Sequence, residues 1–563
     1  MPDSIGSQTR DDSFRMIVLM DLDSPRLARQ VTVLLAALIV LLVVSPVLHL
    51  LFGVVHAPAD LAGIVQTIET WRMVGRSVAL ALLVAFGAMA LGTALAWLLV
   101  RSRVSGFMRG LLLILLVAPL AMPSYVVAFG LMAVTGHEGL LSGLWPAALR
   151  PTQLPAVSSW VILVSCTYPY TLLSVRAALM KECTTLEEAA IGLGASRRGA
   201  FRAILMPRLL PSMVWGGMLA GLYALADFGA VSLVGFETMT WGIYHRYNTA
   251  FGLADARALC VLLIALSALM ILGLIPFRAA QSRTTSAVPI PPAPIRFGRW
   301  GVLLVGLAIL PLAIAVVFPL VAAIGWLARS DMPGAVLHAA GPAAWTTFLL
   351  AASAAIVVPV LALPLATLHV GTAGGGSARR WARVLTPLTL LGFALPGLVV
   401  AIALAGLALR VDHVIEWTFG LPVDARLYQS HLVLLIAYAI LFLPEAAGPL
   451  RATAQRVHAE QIDAAVQFGG SPLARWWRIV LPQLAPGLAA GSVLVFITTA
   501  KELPATLLLS PLNVQTLATR LWSAMEEVYF AIAAAAAIWL LGLVVIGVAI
   551  ILIIERLSDA NDR

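Results

Sequence analysis

Apolar runs of about 20 residues recur along the whole of this chain, each long enough to cross a hydrocarbon core of roughly 30 Å. In lipid, every backbone N–H and C=O must be satisfied inside the protein, which leaves helices or closed barrels. The alternation of barrel strands is nowhere visible, so the runs read as helices. Composition agrees. Of the 563 residues 61% are hydrophobic and 11% charged, against about 25% charged in soluble domains. The expected fold class is an all-α polytopic membrane protein.

Twelve spans are expected, over residues 31–55, 74–100, 108–135, 156–178, 209–234, 256–277, 300–328, 343–370, 383–409, 430–450, 484–510 and 529–555. Basic residues gather in alternate connections, for example Arg101, Arg103 and Arg109, then Arg197, Arg198, Arg202 and Arg208, then Arg379, Arg380 and Arg383. The positive-inside rule then places both termini in the cytoplasm. The same clustering accounts for the net charge of +9 without a nucleic-acid partner. Residues 1–30 are polar and mixed in charge, and read as a cytoplasmic tail before a first span that is retained as an anchor. Cys166, Cys183 and Cys260 lie far apart and imply no disulfide framework.

The chain also repeats itself. Glu188-Ala189-Ala190, Gly194, Ser196, Ile204, Pro207 and Pro211 recur 275 residues later as Asp463-Ala464-Ala465, Gly469, Ser471, Ile479, Pro482 and Pro486. Asp227 and Glu502, each read as lying inside an apolar span, keep the same offset, and Pro123 and Pro396 stand 273 apart. Residues 281–298 carry Pro289, Pro291, Pro292 and Pro294 and read as a cytoplasmic linker, either an extended spacer or an irregular loop. The organisation expected is therefore two tandem six-helix repeats, 31–280 and 299–556.

Each duplicated basic segment reads as helix, tight turn, helix. Thr185-x-x-Glu188 forms a capping box. Gly194 and Gly469 supply the left-handed residue that ends the first short helix. Ser196 caps the second, and Ser471-Pro472 is the corresponding start signal in the other copy. The second helix is expected to stop near Pro207 and Pro482. Helices this short need a surface to pack on, and a groove in another subunit suits them. Asp463 keeps the acid although Glu460 stands where a cap would be, which points to a second role for that acid.

Glu-Ala-Ala, then Gly, then Ile-x-Leu-Pro resembles the cytoplasmic coupling motif of binding-protein-dependent ABC importer permeases. Met206 and Asp463 depart from it mildly, where the family carries Leu and Glu. The resemblance implies an ATPase-coupling role for Glu188, Ala189, Ala190, Gly194 and Pro207, and for Asp463, Ala464, Ala465, Gly469 and Pro482. It implies two kinds of partner, a cytoplasmic ABC ATPase dimer and an extracytoplasmic substrate-binding protein, in a bacterial inner membrane. It implies a permease that is not an enzyme and binds no cofactor, with ATP used by the ATPase. A finer resemblance runs through Lys501-Glu502-Leu503-Pro504-Ala505-Thr506 and Asp227-Phe228-Gly229-Ala230, which are similar to the fused permeases for ferric iron. Fused permeases for thiamine and for small organophosphonates share the architecture.

Charge in a span costs about 2.5–3.5 kcal/mol per residue on insertion scales, so Asp227, Lys501 and Glu502 need a reason. They line a polar pathway between the halves, or Lys501 pairs with an acid across the bundle. Acidic oxygens suit a hard cation. The nine histidines are scattered and form no metal-binding pair, and Gly374-Gly375-Gly376 lacks the Lys-Ser/Thr of a phosphate loop. Two other classes remain open. An ion-driven secondary transporter explains twelve spans and intramembrane charges, but not duplicated capped helices. A membrane scaffold leaves the charges without a purpose.

Overall fold

The computed structural model describes residues 25–56, 58–102, 105–181, 190–249, 253–281, 299–370, 380–420 and 427–561, apart from 382–383, 386–387, 390–391, 393–394 and 469–470. Among these residues all regular structure is helical. Eleven helices are long and apolar enough to cross a membrane, and a twelfth span arises if Gly106–Ala121 and Ser124–Thr135, bent by 91° at their junction, count as one.

The repeat seen in the sequence is a repeat of structure. In the first half Arg197–Ala200, a π turn at Phe201–Leu205 and Met206–Ala226 form one long rod. In the second half Pro472–Arg475, a π turn at Trp476–Val480 and Leu481–Ala500 do the same. This corrects the expectation that the helix stops near Pro207 and Pro482. The i→i+5 turn, closed by Met206 N–H to the Phe201 carbonyl and by Leu481 N–H to the Trp476 carbonyl, shifts the hydrogen-bond register. Each proline then falls in the first turn of the next α segment, where a missing N–H is tolerated.

The far ends of these rods correct a second expectation. The spans read as 209–234 and 484–510 do not run through: they end at Ala226 and Ala500. Short helices Gly229–Val234 and Pro504–Leu509 follow, again 275 residues apart. Next come Met239–Tyr247 and Leu517–Glu526. The first N–H of each is taken from the side by a hydroxyl on another span of its own half: Met239 by Ser77 and Leu517 by Thr347, both at 2.8 Å. The span read as 383–409 is likewise displaced, to Gly397–Phe419 with Pro396 as its N-cap.

Small residues let the spans approach closely, as expected where lipid supplies no hydrophobic drive between helices. A Cβ on Gly216 would stand 2.4 Å from the Thr171 Cα, and one on Gly491, its counterpart, 3.2 Å from the Ala446 carbonyl oxygen. The first helix of each half also reaches across to the other half while staying packed on the last helix of its own. Pro25–His56 packs on Gly397–Phe419, where Gly406 leaves room for His49. Phe318–Ala328, in the second half, packs on Ser124–Thr135, where Gly130 faces Pro319 and the Trp326 indole donates to the Ala133 carbonyl at 2.9 Å.

Candidate functional site

Two regions, at opposite ends of the long rods, bear on function. The rod from Arg197 to Ala226 holds 30 residues, a length of roughly 45 Å at 1.5 Å per residue. The duplicated basic segment sits at one end and the intramembrane charge at the other.

At the basic end Gly194 has φ +94°, and no heavy atom would meet an added Cβ within 4 Å. Conformation, not crowding, therefore demands glycine there. The Ser196 hydroxyl accepts from Gly199 N–H at 3.1 Å and the Ser471 hydroxyl from Ala474 N–H at 3.2 Å, so both start caps form as read. Ala190 lies in the last turn of the first short helix of copy one, which ends at Gly192. Asp463, Ala464 and Ala465 lie on Ala459–Gln467, Asp463 on its exposed side. Glu188, Ala189, Gly469, the Thr185 cap and Gly374–Gly376 lie outside the described residues. Sequence reading passed over the apolar residues here. Leu193 and Phe468 occupy equivalent positions and are each 91% exposed. Ile191 and Val466, also equivalent, are exposed beside them. Each copy thus presents a short helix and a bare apolar side chain at its tip.

At the other end Asp227 and Glu502 stand at the breaks that follow the rods. The Asp227 carboxylate accepts from Ala230 N–H at 3.1 Å and Val231 N–H at 3.4 Å, capping Gly229–Val234, and it also accepts from the Ser124 hydroxyl. The Asp227 carbonyl takes the Thr240 hydroxyl at 2.6 Å. Glu502 caps Pro504–Leu509 through Ala505 N–H at 2.9 Å. The residue facing it is Gly397, where an added Cβ would lie 2.6 Å from the Glu502 carboxylate. The short acid is matched with serine and the long acid with glycine. Both acids satisfy N–H groups that a helix start leaves open.

Lys501 makes no ion pair with an acid among the described residues. Its ammonium donates instead to the Leu120 carbonyl of the other half at 3.2 Å, while the Tyr125 hydroxyl of that half donates to the Lys501 carbonyl at 3.2 Å. Leu120 lies in the 3₁₀ turn Ala118–Ala121, just before the 91° bend. The bend leaves carbonyls without helical partners, and the lysine uses one of them. Further bonds cross between the halves here, from the Trp522 indole to the Ser232 hydroxyl at 3.1 Å and between the Tyr247 and Tyr428 hydroxyls at 3.1 Å.

One charged residue escaped the sequence reading. Glu445 lies in His431–Ala454, one residue after Pro444. Its counterpart 275 residues earlier is Tyr170, one residue after Pro169. Glu445 acts electrostatically on both Tyr170 and Lys501. Equivalent residues of two repeats become neighbours only near the axis that relates them, so this cluster marks the middle of the interface. One carboxylate oxygen of Glu445, Oε2, is buried without a hydrogen-bond partner among the described residues.

Comparison with known proteins agrees with this two-fold architecture. The family described as binding-protein-dependent transport system inner membrane component matches twice, over residues 88–286 and 370–557. The Fe(3+)-transport system permease protein FbpB 2 of Haemophilus influenzae is 28% identical over 477 residues, 82% of this chain and 86% of that protein. The molybdenum transport system permease protein ModB of Escherichia coli is 30% identical over 218 residues, 37% of this chain and 93% of that protein. The sulfate transport system permease protein CysW of Escherichia coli is 32% identical over 147 residues, 25% of this chain and 48% of that protein. With both of its repeats matched, the chain belongs to the inner membrane components of binding-protein-dependent transport systems.

Proposed function

We propose that this chain is the fused permease of an ATP-driven importer whose cargo is ferric iron. A cytoplasmic ATPase dimer docks on the two basic segments, and an extracytoplasmic binding protein delivers cargo to the opposite face. Both termini lie in the cytoplasm. The chain supplies no ATPase site of its own, and ATP is used by the partner. The observation that carries the coupling role is the pair of equivalent helix tips, each offering an exposed apolar residue, Leu193 or Phe468. A soluble partner with a matching groove would cover them. Closure of the motor dimer would draw these tips together, and the long rods would carry that movement to the contacts around Lys501 as a rigid-body change.

The similarity to an Fe(3+) permease over most of both chains supports iron. Side-chain chemistry supports it as well. Asp227, Glu445 and Glu502 bring three carboxyl groups near the interface between the halves, and oxygen donors suit a hard cation better than molybdate or sulfate. Deleting the gene is expected to abolish growth on ferric iron as sole iron source, with ferrous iron restoring it. Normal ferric uptake together with a new requirement for molybdate, sulfate, thiamine or a phosphonate would move the assignment to that cargo.

A further inference from the structure

The Glu445 carboxylate has the Thr498 hydroxyl of its own half beside it, but its buried Oε2 makes no hydrogen bond among the described residues. An unpaired polar atom in such a place is costly and calls for a use. The neighbouring cation is held in a manner that suggests what that use is. Lys501 is anchored to the Leu120 carbonyl, which belongs to the other half, while Glu445 belongs to its own half. Any movement that parts the halves at this end takes Leu120 away and leaves a buried ammonium without its acceptor. Of the two acids of its own half that act on it, Glu502 already caps a helix through Ala505. Glu445 has an oxygen free.

We propose that Glu445 is a positioning residue of the transport cycle, the acceptor that takes the Lys501 ammonium when the two halves separate. Lys501 is then a latch with two seats: the Leu120 carbonyl holds it while the halves touch, and the Glu445 carboxylate holds it when they part. The exchange keeps the charge satisfied in both states, so that neither is prohibitively high and a motor can drive the interconversion. The inference rests on the motor-driven reading above but not on the identity of the cargo.

Glu445 acts only on the separated state, and acts there through Lys501, so its effect depends on the lysine. The measurement is ATP turnover of this chain assembled with its ATPase in lipid vesicles, without and with loaded binding protein. Lys501→Met removes the ammonium from both seats, and in that background Glu445→Gln is expected to have no further effect on turnover. Glu445→Gln removes the seat that favours separation, and is expected to lower stimulated turnover roughly tenfold. Glu445→Asp keeps the carboxylate and is expected to restore most of the stimulated rate, which a purely structural role for Glu445 would not produce. The proposal is overturned if Glu445→Gln lowers stimulated turnover as much in Lys501→Met as in the unaltered chain, or if Glu445→Gln alone matches the unaltered chain. Should Lys501→Met not assemble, the Glu445 variants decide alone, and equal behaviour of Gln and Asp overturns the proposal. An unaltered chain that captures no ATPase removes the motor reading itself, an outcome visible before any variant is made.

Discussion

The acid at each helix break is matched to the residue that faces it, and the two halves reach the match differently. Asp227 is short and is met by the Ser124 hydroxyl, whereas Glu502 is one methylene longer and is met by Gly397. Either pairing lets the carboxylate cap the following short helix. Mixing them should fail. In Gly397→Ser the new Cβ stands 2.6 Å from the Glu502 carboxylate, so the side chain must swing off Ala505 N–H, and a lost cap costs about 1 kcal/mol. Adding Glu502→Asp recreates the arrangement of the first half. The expected outcome is a lowered midpoint of thermal unfolding for Gly397→Ser and recovery in the double variant, a coupling that a thermodynamic cycle reads directly. Additive losses would show that the two positions do not interact. Asp227, Lys501 and Glu502 were legible as charges in apolar runs, but their work as caps and as a carbonyl-bound latch depends on helix breaks that hydropathy does not register. Glu445 was harder. It is a lone acid in a long apolar stretch, and the signal that could have found it is its place after Pro444, matching Tyr170 after Pro169. The change of residue type between the copies hid the equivalence.

At the scale of elements, the duplicated basic segments were the most legible part of the chain, because caps and left-handed turns have local sequence signatures. Gly194 takes its positive φ and Ser196 and Ser471 take their N–H groups as read. The run of helix through Pro207 and Pro482 was not legible. A π turn has no compositional mark, and it is what allows a proline to follow without ending the rod. The second helix of each basic segment is thereby continuous with a rod that reaches the break at Asp227 or Lys501. Leu193 and Phe468 lie at the tips of the short helices that precede these rods. Replacing either with Asp puts a charge into the apolar contact proposed for the ATPase. One such change is expected to weaken ATPase capture and transport in vesicles several-fold, and both together to abolish them. Because both side chains are 91% exposed, folding of the permease should be untouched, and its thermal midpoint should stay within the small range of ordinary surface changes. Full transport by the double variant would contradict the docking role.

For the molecule as a whole, sequence divides the chain into two units, whereas structure shows that neither unit is closed on itself. The first helix of each half is packed on both halves, and reaches the other through His49 at Gly406 on one side and Pro319 at Gly130 on the other. The periodicity that reveals a repeat does not say which copy a helix will join, so this crossing lay beyond sequence reading. It has a clear consequence for association in a membrane, where packing and interhelical hydrogen bonds hold helices together at about 0.6–2 kcal/mol per bond. Lys501 to Leu120, Tyr125 to Lys501, Trp522 to Ser232, Tyr247 to Tyr428 and Trp326 to Ala133 all cross between the halves. These bonds and the crossing helices require no covalent link. Cleavage at a protease site placed between Gln281 and Arg299 is therefore expected to give two fragments on a denaturing gel that still elute as one species in mild detergent. Either half expressed alone leaves the surface for its missing partner helix uncovered, and should be degraded or aggregate, while co-expression of the two should restore a stable complex. Separate elution of the cleaved halves would show that the linker, and not the crossing helices, holds the molecule together.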